Sequence, residues 1–189
     1  MRKIALIALT FFLLAALAAA QVPTSGNVFV GYSFYSTKLS GSISPAIDRA
    51  NINGWQASLE GKVFPFLGIV ADFDGHYGSE LFGIPACPVF AEPCTFNASV
   101  SEHNVLFGPR FSASVGKFRP FAEFEVGVGH VNANAAGSDT SFATAFGGGL
   151  DYRLIRVIAW RLQGDYVQTR FFGTTQNNVR VSTGIVLRF

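Results

Sequence analysis

Three histidines, two cysteines and a set of carboxylates spaced two residues apart are the parts of this 189-residue chain that could do chemistry. Nucleophilic acyl transfer needs a histidine within hydrogen-bond reach of a serine and oriented by a carboxylate. His130 sits in Val128-Gly129-His130-Val131-Asn132, is followed by Ala133, and meets no serine until Ser138. That spacing reads as a histidine at a strand end and argues against a nucleophile there. His76 and His103 flank a long connecting segment, but without metal-ligand spacing, so no metal or other cofactor is expected. Cys87 and Cys94 are the only cysteines. In an oxidising compartment such a pair reads as a disulfide. Closing so short a ring stabilises its loop by about 2–3 kcal/mol in the chain-entropy account. Gly147-Gly148-Gly149 is no phosphate loop, because no helix follows it, and it reads as close packing or bending within a strand.

The carboxylates make sense only together with the residues between them. Glu123 and Glu125 alternate with Ala122, Phe124 and Val126; Asp72 and Asp74 alternate with Ala71 and Phe73. The same period of two recurs in eight segments, beginning near Asn27, Trp55, Leu67, Asn104, Phe121, Phe142, Ile158 and Val179. Period-two alternation means strands with one apolar and one polar face. None of the eight apolar faces carries a charge. The polar faces carry Glu60, Lys62, Asp72, Asp74, Arg110, Glu123, Glu125, Asp151, Arg161, Asp165, Arg180 and Arg188. Their remaining positions are rich in Gly, Ala and Ser, which suits a narrow interior. The apolar faces end in aromatics, as lipid-facing bands do.

Composition points the same way. The chain is 49% hydrophobic and 14% charged, with 20 Phe and 20 Gly. Disorder, collagen, coiled coil and a cysteine-rich scaffold are excluded, and no basic run supports nucleic-acid binding. Arg2 and Lys3, the apolar stretch Ile4–Leu17 and Ala18-Ala19-Ala20 form the pattern of a secretory signal peptide over 1–20, leaving 21–189 as the mature domain. No Cys follows the cleavage site, so a lipoprotein anchor is not expected. No later segment is long and apolar enough for a membrane-spanning helix.

Connections alternate long (37–52, 77–101, 132–140, 171–177) and short (64–66, 114–118, 153–156). Eight strands of about 9–11 residues, in an all-β, antiparallel up-and-down barrel, follow from that rhythm. Both termini then lie at the short-turn, periplasmic end, and four long loops lie outside. Pro109 removes a ladder donor, so a bulge or register shift is expected near Gly108-Pro109.

The signal-like leader, the alternating strands and the terminal Ser182-Thr183-Gly184-Ile185-Val186-Leu187-Arg188-Phe189 resemble small bacterial outer-membrane β-barrels, both the OmpA-like transmembrane domain and the opacity-type "porin family" barrels. The resemblance covers essentially the whole chain after the leader. It implies contact with outer-membrane lipids, and recognition of Gly184, Leu187 and Phe189 by the barrel assembly machinery. A peptidoglycan-binding domain is not expected, since nothing follows Phe189. Members of this family differ widely in function, so fold alone assigns none.

Eight strands enclose an interior that side chains can fill. Unpaired charges there would be costly, so Arg110 should pair with Glu123 or Glu125, Arg161 with Asp151, and Arg180 with Asp165. The expected protein is a non-enzymatic, monomeric barrel with a structural or surface-interaction role exercised through its loops. Its extracellular ligand is left unnamed. Loop residues Ser40 to Pro45 and Asp48-Arg49 are surface available for it, while Leu81, Phe82, Ile84, Val89 and Phe90 are expected to pack on their own lobe, an interaction patch being the alternative. A narrow pore along the interior charges is the second reading and lipid A modification the third.

Overall fold

A computed structural model describes residues 25–37, 50–83, 95–134 and 137–189. The leader 1–20, the Cys87–Cys94 pair and most of the first two long loops lie outside these residues. Eight strands follow in order: β1 Gly26–Thr37, β2 Ala50–Phe64, β3 Leu67–Gly83, β4 Thr95–Ser112, β5 Phe118–Ala133, β6 Gly137–Arg153, β7 Ile158–Thr169 and β8 Gln176–Arg188. Each pairs antiparallel with the next, and β1 closes on β8 from Asn27↔Arg188 to Ser36↔Val179. Closure leaves no strand edge, so the ladder satisfies the backbone without help from water.

Residue type decides which way each strand faces. Phe107, Phe142 and Phe146 point outward and are 59%, 63% and 65% exposed, whereas Arg110, Arg161 and Arg180 point inward and are 0% exposed. This is the reverse of a water-soluble barrel, and it follows the parity of the sequence strand by strand. One end of the barrel carries the start of β1, the end of β8 and three tight turns, and is called the turn end below; the opposite end is the loop end.

Two expectations are corrected. The strands span 12 to 18 residues rather than about ten. β3 and β4 run on as a paired ribbon to Gly83↔Thr95, and β5 and β6 to Ala133↔Gly137. Much of what alternation alone assigned to the second and third long loops is therefore strand. A hairpin can continue past the membrane because ladder bonding needs no apolar face. Nor is there a register shift at Gly108-Pro109. The β4–β5 ladder lapses between Phe107↔Val126 and Arg110↔Glu123 and resumes at the same offset. Opposite β3, Gly108 and Pro109 are both in register, so the missing N–H costs pairing on the β5 side only. The irregularity lies instead in β2, between Lys62 and Phe64 at the first tight turn.

Candidate functional site

All twelve charged residues expected on the polar faces lie inside the barrel, buried except for the half-buried Lys62 and Arg188 near the turn end. Their positions follow from parity. Every second residue of a strand faces the lumen, and neighbouring strands bring lumen residues to matching heights through registers such as Asp151↔Arg161 and Asp165↔Arg180.

The interior is layered. Nearest the turn end, Arg119 Nη2 donates to Glu60 Oε1 at 2.6 Å and to Ser112 Oγ at 2.9 Å, while Lys62 Nζ lies 3.2 Å from Glu60. Arg188 lies 3.4 Å from Asp151. Above them, Arg161 Nε donates to Asp151 at 2.6 Å, and Asn27 donates to Glu60 at 2.7 Å. Arg110 bridges Glu123 and Glu60, the latter at 3.3 Å. Phe121 lies between two guanidiniums, with Arg110 and Arg161 each 4.6 Å from its ring centre. Cations of this kind draw stabilisation from a ring face while carboxylates hold their edges.

Higher still, Arg180 gathers three acids: Asp165 at 2.8 Å, Asp72 at 2.9 Å, and Asp74. Gln163 donates to both Glu123, at 2.6 Å, and Asp165, at 2.9 Å, tying this layer to the one below. Glu125 is the exception. Its carboxylate accepts no hydrogen bond, and its closest cation atom, on Arg180, is 4.0 Å away.

Toward the loop end, Asp74 Oδ1 lies 3.2 Å from His76 Nδ1, and His76 Nε2 lies 2.8 Å from Ser33 Oγ. The order carboxylate, imidazole, hydroxyl is that of a nucleophilic triad. Its surroundings are not those of one. Ser33, His76 and Asp74 are all fully enclosed or nearly so, Tyr35 stacks on the imidazole at 4.6 Å, and Ser182 donates to Ser33 Oγ at 2.9 Å. The Ser33 hydroxyl is closed off from solvent, and Asp74 is shared with Arg180 and Asn104. Tyr35 then donates to Glu102 at 2.9 Å and accepts from Asn178 at 2.8 Å.

Three ionisable members were absent from the sequence-based set: His76, Glu102 and Arg119. Each lies on the lumen parity of its strand, His76 after Asp72 and Asp74, Glu102 before Asn104, Arg119 before Phe121 and Glu123. Carrying the period of two a further step in each strand would have found them. His103 and His130 stand across the ladder from each other, with His130 Nδ1 2.7 Å from Thr140 Oγ1 and His103 edge-on to Tyr77 at 5.3 Å. Neither reaches His76's network. Among the described residues no three His, Cys, Asp or Glu side chains are arranged to hold a metal. Of the terminal-strand residues, Leu187 and Phe189 point outward and Gly184 packs between Gly31 and Arg161 in the ladder.

A closed eight-strand, all-antiparallel barrel, apolar outside and charged inside, is the fold of small outer-membrane proteins. No protein-family profile matches the chain, and no curated protein matches it in sequence. Similar solved structures include Neisserial surface protein A, with a TM-score of 0.63 and 11% identity over 87% of this chain and 97% of that one. Another is Ail, the attachment invasion locus protein of Yersinia pestis, with a TM-score of 0.58 and 16% identity over 87% of this chain and 98% of that one. Ail is also solved with the heparin analogue sucrose octasulfate. At these identities the likeness is one of fold.

Proposed function

We propose that this chain is an integral outer-membrane β-barrel without enzymatic activity, with a structural or surface-interaction role exercised at its loop end. The observation that carries the reading is the inversion of the barrel. A continuous band of exposed Phe, Val, Leu, Tyr and Trp surrounds a lumen of buried Arg, Asp and Glu. In water that band would far exceed the apolar patches soluble monomers expose; in lipid it is what the solvent requires. On this reading the leader 1–20 is removed in export, and Gly184, Leu187 and Phe189 present the last strand to the barrel assembly machinery. The turn end and both termini face the periplasm, a Cys87–Cys94 disulfide braces the loop between β3 and β4, and the protein works as a monomer. One fold neighbour is named a surface protein and the other an attachment invasion locus protein, which supports a surface-interaction role for the loop end.

The interior supports a plug. Arg110 and Arg180 each reach across the lumen to carboxylates on more than one strand, and Arg161 joins Asp151 to the Asn27 amide. A narrow conduit is the second reading, favoured by the unbroken succession of polar side chains from Lys62 to Glu102 and by Glu125, which is not tied into it. The experiment is fractionation of cells expressing the chain, followed by gel electrophoresis of unheated and heated samples. A heat-dependent mobility shift in the outer-membrane fraction is expected; a soluble or inner-membrane protein without the shift overturns the reading. Planar-bilayer recording of the same folded protein separates plug from conduit. Silence is expected, and reproducible conductance steps altered by Arg110→Gln or Glu123→Gln would establish the conduit.

A further inference from the structure

Exposed charge at the two ends of the barrel is sparse and unevenly placed. At the turn end, the exposed charged side chains among the described residues are Lys117, Arg153 and Arg156, all cationic. They differ from Lys62, Arg119 and Arg188 at the same end, each of which lies against Glu60 or Asp151. Among the described residues none of the three has an ion-pair partner. They also sit close together. Arg153 N donates to the Lys117 carbonyl at 2.8 Å across the β5–β6 rim, and Arg153 Nη2 donates to the Gly116 carbonyl at 3.1 Å. Arg156 lies in the next turn. Like charges facing each other across a ladder destabilise it unless an anion lies between them.

The same turns are apolar. Val115, Phe118, Leu154, Ile155 and Val157 are each at least half exposed, and Phe118 packs against Tyr152 with ring centres 5.2 Å apart. A soluble polyanion would use the cations and leave these side chains in water. A lipid would use both, since apolar side chains enter the acyl boundary while Lys and Arg meet the headgroup.

We infer that the β4–β5 and β6–β7 turns form a docking surface for an anionic phospholipid, its phosphodiester held by Lys117, Arg153 and Arg156 and its acyl chains lying along Phe118, Leu154 and Ile155. The inference rests on the orientation proposed above, which puts the turn end in the phospholipid leaflet.

The test is native mass spectrometry of the folded protein in detergent micelles supplied with phosphatidylglycerol, phosphatidylcholine or lipopolysaccharide. Phosphatidylglycerol should be retained about tenfold over phosphatidylcholine. The preference should vanish in the Lys117→Gln/Arg153→Gln/Arg156→Gln variant and persist in Arg170→Gln, which removes an exposed cation at the opposite end. If the triple variant does not fold, Lys117→Gln/Arg156→Gln spares the Arg153 hydrogen bond and should show the same loss in part. Equal retention of the two phospholipids, an unchanged preference in the variants, or a stronger preference for lipopolysaccharide through the same three residues overturns the inference. An epitope inserted at Gly116 separates the two layers of argument. Antibody should reach it only after the outer membrane is permeabilised. Reaction in intact cells overturns the orientation and the inner-leaflet partner with it, whereas lost selectivity with the orientation intact overturns the docking surface alone.

Discussion

Arg180 and Glu125 show how differently two buried charges in one lumen can be placed. Arg180 donates to Asp165 and Asp72, both at 2.9 Å, and also to Asp74. Its removal leaves three acids facing one another without a cation. Breaking a buried pair from one side costs about 3–5 kcal/mol, so Arg180→Met should lower the free energy of unfolding from micelles, read by urea titration, by that order. Glu125 accepts no hydrogen bond. Glu125→Gln should therefore leave the free energy of unfolding within about 1 kcal/mol of the parent or raise it, because it removes a charge that accepts no hydrogen bond. A large loss in Glu125→Gln would show that Arg180 depends on the fourth acid as well. The network also explains an apolar residue on a polar parity. Phe121 sits where alternation expects a polar group, and its ring is what Arg110 and Arg161 stack on.

At the scale of the element, the β4–β5 ladder is the informative one. A Cβ on Gly108 would fall on the Phe124 carbonyl oxygen, so β5 passes here at a distance only glycine permits. Pro109, next to it, has no N–H to offer. Together they account for a short unbonded stretch of the ladder. Gly108→Val should reduce the refolded fraction in micelles sharply, while Pro109→Val should leave it unchanged, since the register is set by the pairs on either side. An equal loss from both would mean the proline itself holds the strand. The β3–β4 hairpin carries a separate expectation. Its ladder is continuous from Leu67↔Phe111 to Gly83↔Thr95, so Cys87→Ser/Cys94→Ser should leave the heat-dependent mobility shift intact. Loss of the shift would show that the loop participates in barrel closure.

The molecule as a whole is a cylinder of charge in a jacket of hydrocarbon. Its lumen is richer in acids over the Arg180 layers and richer in bases at the turn end, where Lys62, Arg119 and Arg188 surround a cleft of about 460 Å³. Embedding in lipid is testable by moving one charge to the wrong side. Phe124 is half exposed on the outer face, in the middle of the crossing part of β5. Phe124→Arg should destabilise folding into bilayers by about 2–4 kcal/mol, the cost of a cation at midplane depth on the lipid face. A stabilised or unaffected variant would place that face in water.

Much of this was legible in the residues themselves. Strand number, antiparallel order, the inward and outward faces, and one adjacent-strand acid for each of Arg110, Arg161 and Arg180, but not the cross-lumen acids Glu60, Asp72 and Asp74, follow from a side-chain period of two and from the cost of unpaired charge. Both are local rules that a linear chain displays. Strand ends did not follow, because hairpins such as β3–β4 continue on backbone hydrogen bonds after the apolar signal has faded; His76 and Glu102 were missed for that reason, and Arg119 because β5 begins before Pro120, at Phe118. The single register through Gly108-Pro109, the seating of Phe121 between two guanidiniums, the enclosure of Ser33 beside His76, and the isolation of Glu125 depend on which strands meet at which height. Barrel closure sets those heights, and closure joins residues as far apart as Asn27 and Arg188. Alternation along the chain determined what faces the lumen, and only the tertiary structure decided what each of those side chains meets there.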